Sequence, residues 1–215
     1  MSNFDPISLA LALALLALVP ILVVTTTAFL KISIVLSLVR NALGVQQIPP
    51  NMALYGLSLV LTLYVMAPVG QKVYEAVHAE PAGMTTVDGL ISGVQKGAEP
   101  MRAFLMKHSK PEQRGFFVRT TKRLWPAEMS AQVKPDDYLI LMPAFVVSEL
   151  TAAFEIGFLL YLPFLVIDLV VSNILLAMGM MMVSPVTISL PLKLFLFVMV
   201  DGWTRLIQGL ILTYI

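Results

Sequence analysis

The chain has 215 residues, 58% of them hydrophobic and 13% charged, and its mean hydropathy of +0.87 lies outside the balance of a soluble globular domain. A net charge of +1, with no run of like charge at either end, excludes a basic field for nucleic acid. The absence of cysteine excludes a disulfide framework, a thiolate nucleophile and a cysteine-ligated metal or cluster.

Charge is segregated: ten of the fourteen Lys/Arg and eight of the thirteen Asp/Glu fall between Gln71 and Asp137. Polarity therefore divides the chain into an apolar segment 1–70, a polar segment 71–137 and a second apolar segment 138–215. The first residues, Met1 to Pro6, carry Asp5 and no Lys or Arg, unlike the positive start of a cleaved secretory signal, so Ile7 onward reads as mature protein.

Ile7 to Leu30 runs uncharged for longer than the roughly 20 helical residues that cross a hydrocarbon core. Pro20 predicts a kink there, with Thr25, Thr26 and Thr27 returning side-chain hydrogen bonds to the freed backbone. From Lys31 to Arg40 the apolar positions Ile32, Val35, Leu36 and Val39 recur at helical spacing, so this stretch continues the first helix with a cation at each end. The sequence NALGVQQIPPN, 41–51, predicts a hairpin turn with proline opening the next helix. Met52 to Val69 is again uncharged and would return antiparallel to the first helix.

The polar segment is punctuated by Pro81, Gly83, Gly89, Gly93, Gly97 and Pro100, followed by helix-compatible patterning at Met101, Phe104 and Leu105. It reads as a small, mainly helical insertion domain with flexible edges, outside the membrane. From Tyr138 onward apolar character returns, bent at Pro143, Pro163, Pro185 and Pro191, which predicts a second hairpin of Ala152 to Met182 and Val183 to Ile215. The fold class is all-α, kinked helical hairpins with about four spans by hydropathy. Topology stays open, because the polar segment is too long for its positive charges to orient the chain.

Glu149, Glu155 and Asp168 lie in apolar helix, where an ionised carboxylate costs about 2.5–3.5 kcal/mol and needs a partner or a watery face. Outside the polar segment the cations are Lys31, Arg40, Lys193 and Arg205 and the further acid is Asp201, so ion pairs between helices or subunits are the plain reading. A proton pathway is the sharper one. Both histidines, His78 and His108, fall in the polar segment and read as solvated loop residues, so neither a metal site nor a cofactor site is indicated. No nucleophile elbow and no phosphate-cradling loop occurs, so the chain reads as no enzyme, with no catalytic residue. The small-residue spacings Ala153 to Gly157 and Gly202 to Gly209 permit close helix approach.

Met178, Met180, Met181 and Met182 cluster just before Val183-Ser184-Pro185. Such a cluster is either flexible core filler or, repeated by subunit symmetry, a ring that seals a pore and deforms around a passing chain. The flanking glycine and proline favour a projecting loop over a core stripe recurring at i, i+3 and i+4.

PAFVVSELTAAFEIGF at 143–158 and PFLVIDLVVSNILLAMGM at 163–180 resemble the two signature segments of the SctR/FliP family of bacterial type III secretion systems. RNALGVQQIPPNM at 40–52, MMMVSPVTISLPLKL at 180–194 and DGWTRL at 201–206 are also similar to it, and Val45 and Ile48 resemble its injectisome branch more than its flagellar branch. The resemblance implies a homo-pentamer in a helical, cone-shaped export gate in the inner membrane, with S-type and T-type subunits, other export-apparatus subunits, needle and inner-rod proteins and membrane lipid as partners. Unfolded polypeptides would pass through its centre. It implies too that the cone is largely lifted to the periplasmic side, that Met180, Met181 and Met182 with adjacent Met178 form a gasket, and that Glu149, Glu155 and Asp168 make assembly contacts. The rival reading is a proton-coupled transporter or channel subunit that uses Glu155 and Asp168, for which inverted repeats and discontinuous helices are expected.

Overall fold

The computed structural model describes residues 6–78 and 87–215, and among the described residues every regular element is a helix. These are α1 (Pro6–Thr26), α2 (Phe29–Leu43), α3 (Asn51–His78), α4 (Val87–His108), α5 (Pro111–Leu124), α6 (Ala127–Ser130), α7 (Tyr138–Ala177), α8 (Pro185–Met199) and α9 (Gly202–Leu212). They are grouped into two compact units, Met1–Leu30 with Thr62–Glu149, and Lys31–Leu61 with Leu150–Ile215.

The helices continue through Pro20, Pro143, Pro163 and Pro191, at which the sequence placed kinks, so none of those prolines ends a helix. α1 is helical through Pro20 and stops only at Thr26. The threonine hydroxyls donate to the carbonyls of Ile21 (2.9 Å), Leu22 (2.7 Å) and Val23. These belong to the last turns of α1 and not to the carbonyl that Pro20 leaves unpaired, one turn before it. Threonine back-bonding at a helix end, rather than proline, thus marks the boundary between α1 and α2. α7 likewise runs for 40 residues through Pro143 and Pro163, beginning well before Ala152. At about 1.5 Å per residue it is about 60 Å long, roughly twice a hydrocarbon core. α8 continues through Pro191, while Pro185, read from the sequence as a bend, occupies its first turn. Two helices, α3 and α7, are long and apolar enough to cross a membrane, or up to four spans if α1 with α2 and α8 with α9 each count as one interrupted span.

In the unit built on α4, the glycines expected to punctuate that helix instead let it pack. A Cβ at Gly97 would lie 3.1 Å from Val77 and 3.4 Å from Val73 of α3, so the glycine face allows the two helices to approach. Other predicted punctuation, Pro81 and Gly83, lies outside the described residues. Leu105, Ile140, Leu141, Ala144 and Phe145 are fully buried, and Phe104 meets the Phe145 ring at 5.8 Å. Arg114 donates to the carbonyls of Met106 (2.9 Å) and Ser109 (2.5 Å), capping the end of α4. His78 and His108 stand in the last turns of α3 and α4, not in loops. His78 is stacked on Tyr74 and His108 tilted against Phe104.

The second unit has its core on α2. The four residues singled out by helical spacing, Ile32, Val35, Leu36 and Val39, are all buried. Leu38 packs so closely on α7 that a Cβ at Gly157 would overlap its Cδ1, and Ala153 one turn earlier is fully buried. The Ala153 to Gly157 spacing therefore does what small-residue patterns do, which is to let two backbones close in. α8 and α9 are bent by 62° at Val200-Asp201. No proline stands there. Asp201 adopts the left-handed conformation, with φ +54°, and the Phe197 ring occupies the space a Gly202 side chain would need.

Candidate functional site: a braced hairpin with a methionine tip

α7 ends where Gly179 turns left-handed, at φ +73°. Its N–H donates to Leu176 O (3.0 Å), and that of Met180 to Leu175 O (2.9 Å). This paired pattern is the Schellman motif, which satisfies the last carbonyls of a helix and needs glycine at the left-handed position. Met178 to Ser184 form the connection, and α8 opens at Pro185 with the Thr187 N–H donating to Ser184 O at 3.1 Å. The tip is thus defined at both ends by backbone chemistry, leaving its side chains free of structural duty.

Those side chains point away from the chain. Met182 is wholly exposed, Met181 is 82% exposed, Met178 67% and Met180 40%. Within the single chain, the cluster fills no core.

Below the tip the two arms are joined. Lys193 on α8 donates to Asp168 Oδ2 on α7 at 2.5 Å, and Ser189, one turn earlier on α8, donates to Asp168 Oδ1 at 2.7 Å. Lys193 also reaches Ala42 O at the end of α2, 3.3 Å away, where the helix dipole favours a cation. The lysine side chain is 7% exposed and the aspartate 32%, so the pair lies at a partly buried seam. Asp168 stands nine residues before Ala177, placing the brace about 14 Å along α7 from the tip.

Of the charged residues singled out in sequence, Asp168 and Lys193 are thereby brought into an ion pair with each other. The buried Lys31 ammonium lies 3.7 Å from the Tyr214 ring centroid, a cation–π contact. Arg40 ties down the turn after α2, donating to Asn51 Oδ1 (2.6 Å) and Pro49 O (3.2 Å). Glu149 is buried on α7, Glu155 is exposed on it, and Asp201 serves through its backbone at the α8–α9 corner. Ser189, Asn51 and Tyr214 escaped sequence reasoning. Ser189 alone carried a usable signal, its i, i+4 spacing from Lys193 on one helix face. Among the described residues no group of three or more acidic or histidine side chains is placed to hold a metal ion.

Residues 12–210 match the family model described as the FliP family. The chain belongs to the FliP family. It is 56% identical over 210 residues to the Yop proteins translocation protein R of Yersinia pestis, covering 98% of this chain and 97% of that protein. It is 50% identical over 213 residues to the harpin secretion protein HrcR of Erwinia amylovora, with 99% and 98% covered. The virulence protein YscR of Salmonella typhimurium is 49% identical over 211 residues, with 98% and 97% covered. As a FliP-family protein related over its whole length to type III secretion proteins, the chain is a secretion-apparatus component, and its apolar helices suit membrane integration.

Proposed function

We propose that this chain is the pore-forming core subunit of a type III secretion export gate in the bacterial inner membrane, and that Met180, Met181 and Met182, with Met178, form the seal of its channel. The observation that carries the reading is the exposure of all four methionines at the tip of a hairpin whose arms are fixed by the Asp168–Lys193 pair. A rigid stem with a soft apolar tip is the form a gasket requires: the stem sets where the tip stands, and thioether side chains repack around whatever passes. Because such side chains offer no fixed hydrogen-bond pattern, the seal excludes water and ions while discriminating little among extended polypeptides.

Copies of the chain, five in our reading, would bring their tips to a common axis, with S-type and T-type subunits completing the gate. The exposed apolar faces of α3 and α7, among them Leu63, Tyr64, Phe154, Phe158 and Val166, supply surface for neighbouring subunits or lipid. The polar segment 71–137 would stand outside the bilayer on the periplasmic side, near the needle and inner-rod proteins. Asp168 serves as a brace in this account and not as a proton carrier, since both carboxylate oxygens are engaged by Lys193 and Ser189. The test is ion conductance and export in cells carrying Met180, Met181 and Met182 all changed to Ala, with assembly followed by native gel. A leaky, assembled gate supports the seal. An assembled gate that is tight and fully exporting removes it.

A further inference from the structure

We propose that the inner side of the α8–α9 corner is a binding site for an anionic phospholipid, with an acyl chain in an apolar cavity and the phosphate held by Arg205. The cavity has a volume of about 320 Å³ and is lined by Val39 of α2, Pro163 and Phe164 of α7, and Phe197, Val200 and Leu206 of α8, α9 and their corner. It is more than twice the roughly 150 Å³ that suffices for an apolar cavity to stay dry and take up a hydrophobic guest. It also falls in the size range of built ligand sites.

The single charged side chain on its wall is Arg205. The other three cations of the apolar segments are occupied within the chain: Lys31 by the Tyr214 ring, Arg40 by Pro49 and Asn51, and Lys193 by Asp168 and Ala42. Arg205 lies one turn after Asp201 and takes only a backbone bond from it, its N–H donating to Asp201 O at 3.1 Å, and among the described residues its guanidinium forms no ion pair. An exposed guanidinium at the mouth of an otherwise hydrocarbon-lined cavity complements an amphiphile that is anionic at one end and aliphatic at the other. A protein partner fits less well, because the wall offers no hydrogen-bonding side chain besides the arginine. Both the bend and the opening follow from the left-handed Asp201 and from Gly202, whose missing side chain leaves room for Phe197. The site does not depend on the gasket reading, since none of its residues belongs to the methionine tip.

The experiment places the purified, assembled complex in nanodiscs of phosphatidylethanolamine doped with either a phosphatidylglycerol or a phosphatidylethanolamine that carries a photoactivatable acyl chain. Labelled peptides are then mapped. Labelling of 160–164 and 196–206 by the phosphatidylglycerol probe should exceed that by the other probe about fivefold, the effect of one cation on an anionic headgroup. Arg205→Gln should erase that preference, and Val200→Trp should block labelling by both probes. Equal labelling by the two probes in the unaltered complex overturns the proposal without reference to either variant. So does a benzophenone side chain at position 200 that crosslinks to a neighbouring polypeptide instead of lipid.

Discussion

Lys193 donates to Asp168 at 2.5 Å across the two arms of the hairpin, and the buried member of the pair is the lysine. Breaking a buried pair from one side costs about 3–5 kcal/mol because a charge is left uncompensated. Asp168→Asn strands that charge in the seam and should fall near the lower bound, since the aspartate keeps some access to water. Lys193→Met strands the more exposed carboxylate, which retains Ser189, and should be milder. The double variant should recover part of the loss. Thermal unfolding of the four detergent-purified proteins checks the order, and equal effects of the two single changes would contradict it.

Leu38 and Gly157 form a second tight relationship within the same unit. Gly157→Leu should destabilise by about 1–3 kcal/mol through overpacking. Leu38→Ala should restore much of the stability in that background while costing stability alone. A double-mutant cycle on apparent melting temperature reads the sign of the coupling.

Gly179 holds φ +73° at the end of α7. Gly179→Ala should cost about 1–2 kcal/mol, the steric cost of the left-handed region for a residue with a side chain. Gly179→Asn should cost less, because asparagine is the other residue commonly found at this cap. Protease sensitivity of the 178–184 connection reports the difference.

Met182→Ala should leave chain stability within about 0.5 kcal/mol, as for an exposed position without partners. Phe164→Ala, in the buried core, should cost about 3–5 kcal/mol. If the tip seals a channel, the first change raises ion conductance while the second lowers the amount of assembled complex. Paired conductance and abundance measurements separate a role at the axis from one in folding.

Sequence patterns read the interior faces well. Ile32, Val35, Leu36 and Val39 were legible because a period of 3.6 reports which side of a helix is buried. The Asp168–Lys193 pair was legible in kind, since charges in apolar helix must find partners and few partners exist. Helix boundaries were not legible. Pro143 and Pro163 read as bends, and the hairpin arm as starting at Ala152, yet α7 begins at Tyr138 and stays helical through both, because a proline removes one hydrogen bond while a long helix retains many. The breaks that do occur, at Thr27-Ala28 and at Asp201, depend on threonine back-bonds and on a left-handed aspartate packed beside Phe197 and Gly202. The threonine bonds are local and were legible, whereas the packing of Phe197 into the space beside Gly202 is a circumstance of the folded corner that the run of residues does not announce. For the same reason Gly93 and Gly97 looked like punctuation before Val73 and Val77 were seen against them.

α7 has a final consequence outside structure proper. A helix about 60 Å long, with bulky apolar side chains exposed at Phe154, Phe158, Leu159, Val166, Leu169 and Ile174, has no single solvent suited to its whole length. A bilayer matches about half of it, and water matches none. The exposed side chains from Phe154 to Ile174 span about 30 Å, close to one hydrocarbon core, whereas Ile140, Leu141, Ala144 and Phe145 in the first part of the helix are buried within the chain. If neighbouring subunits cover that exposed stretch, the chain made alone should turn over faster than the chain made beside them, which a pulse-chase with and without those subunits would show.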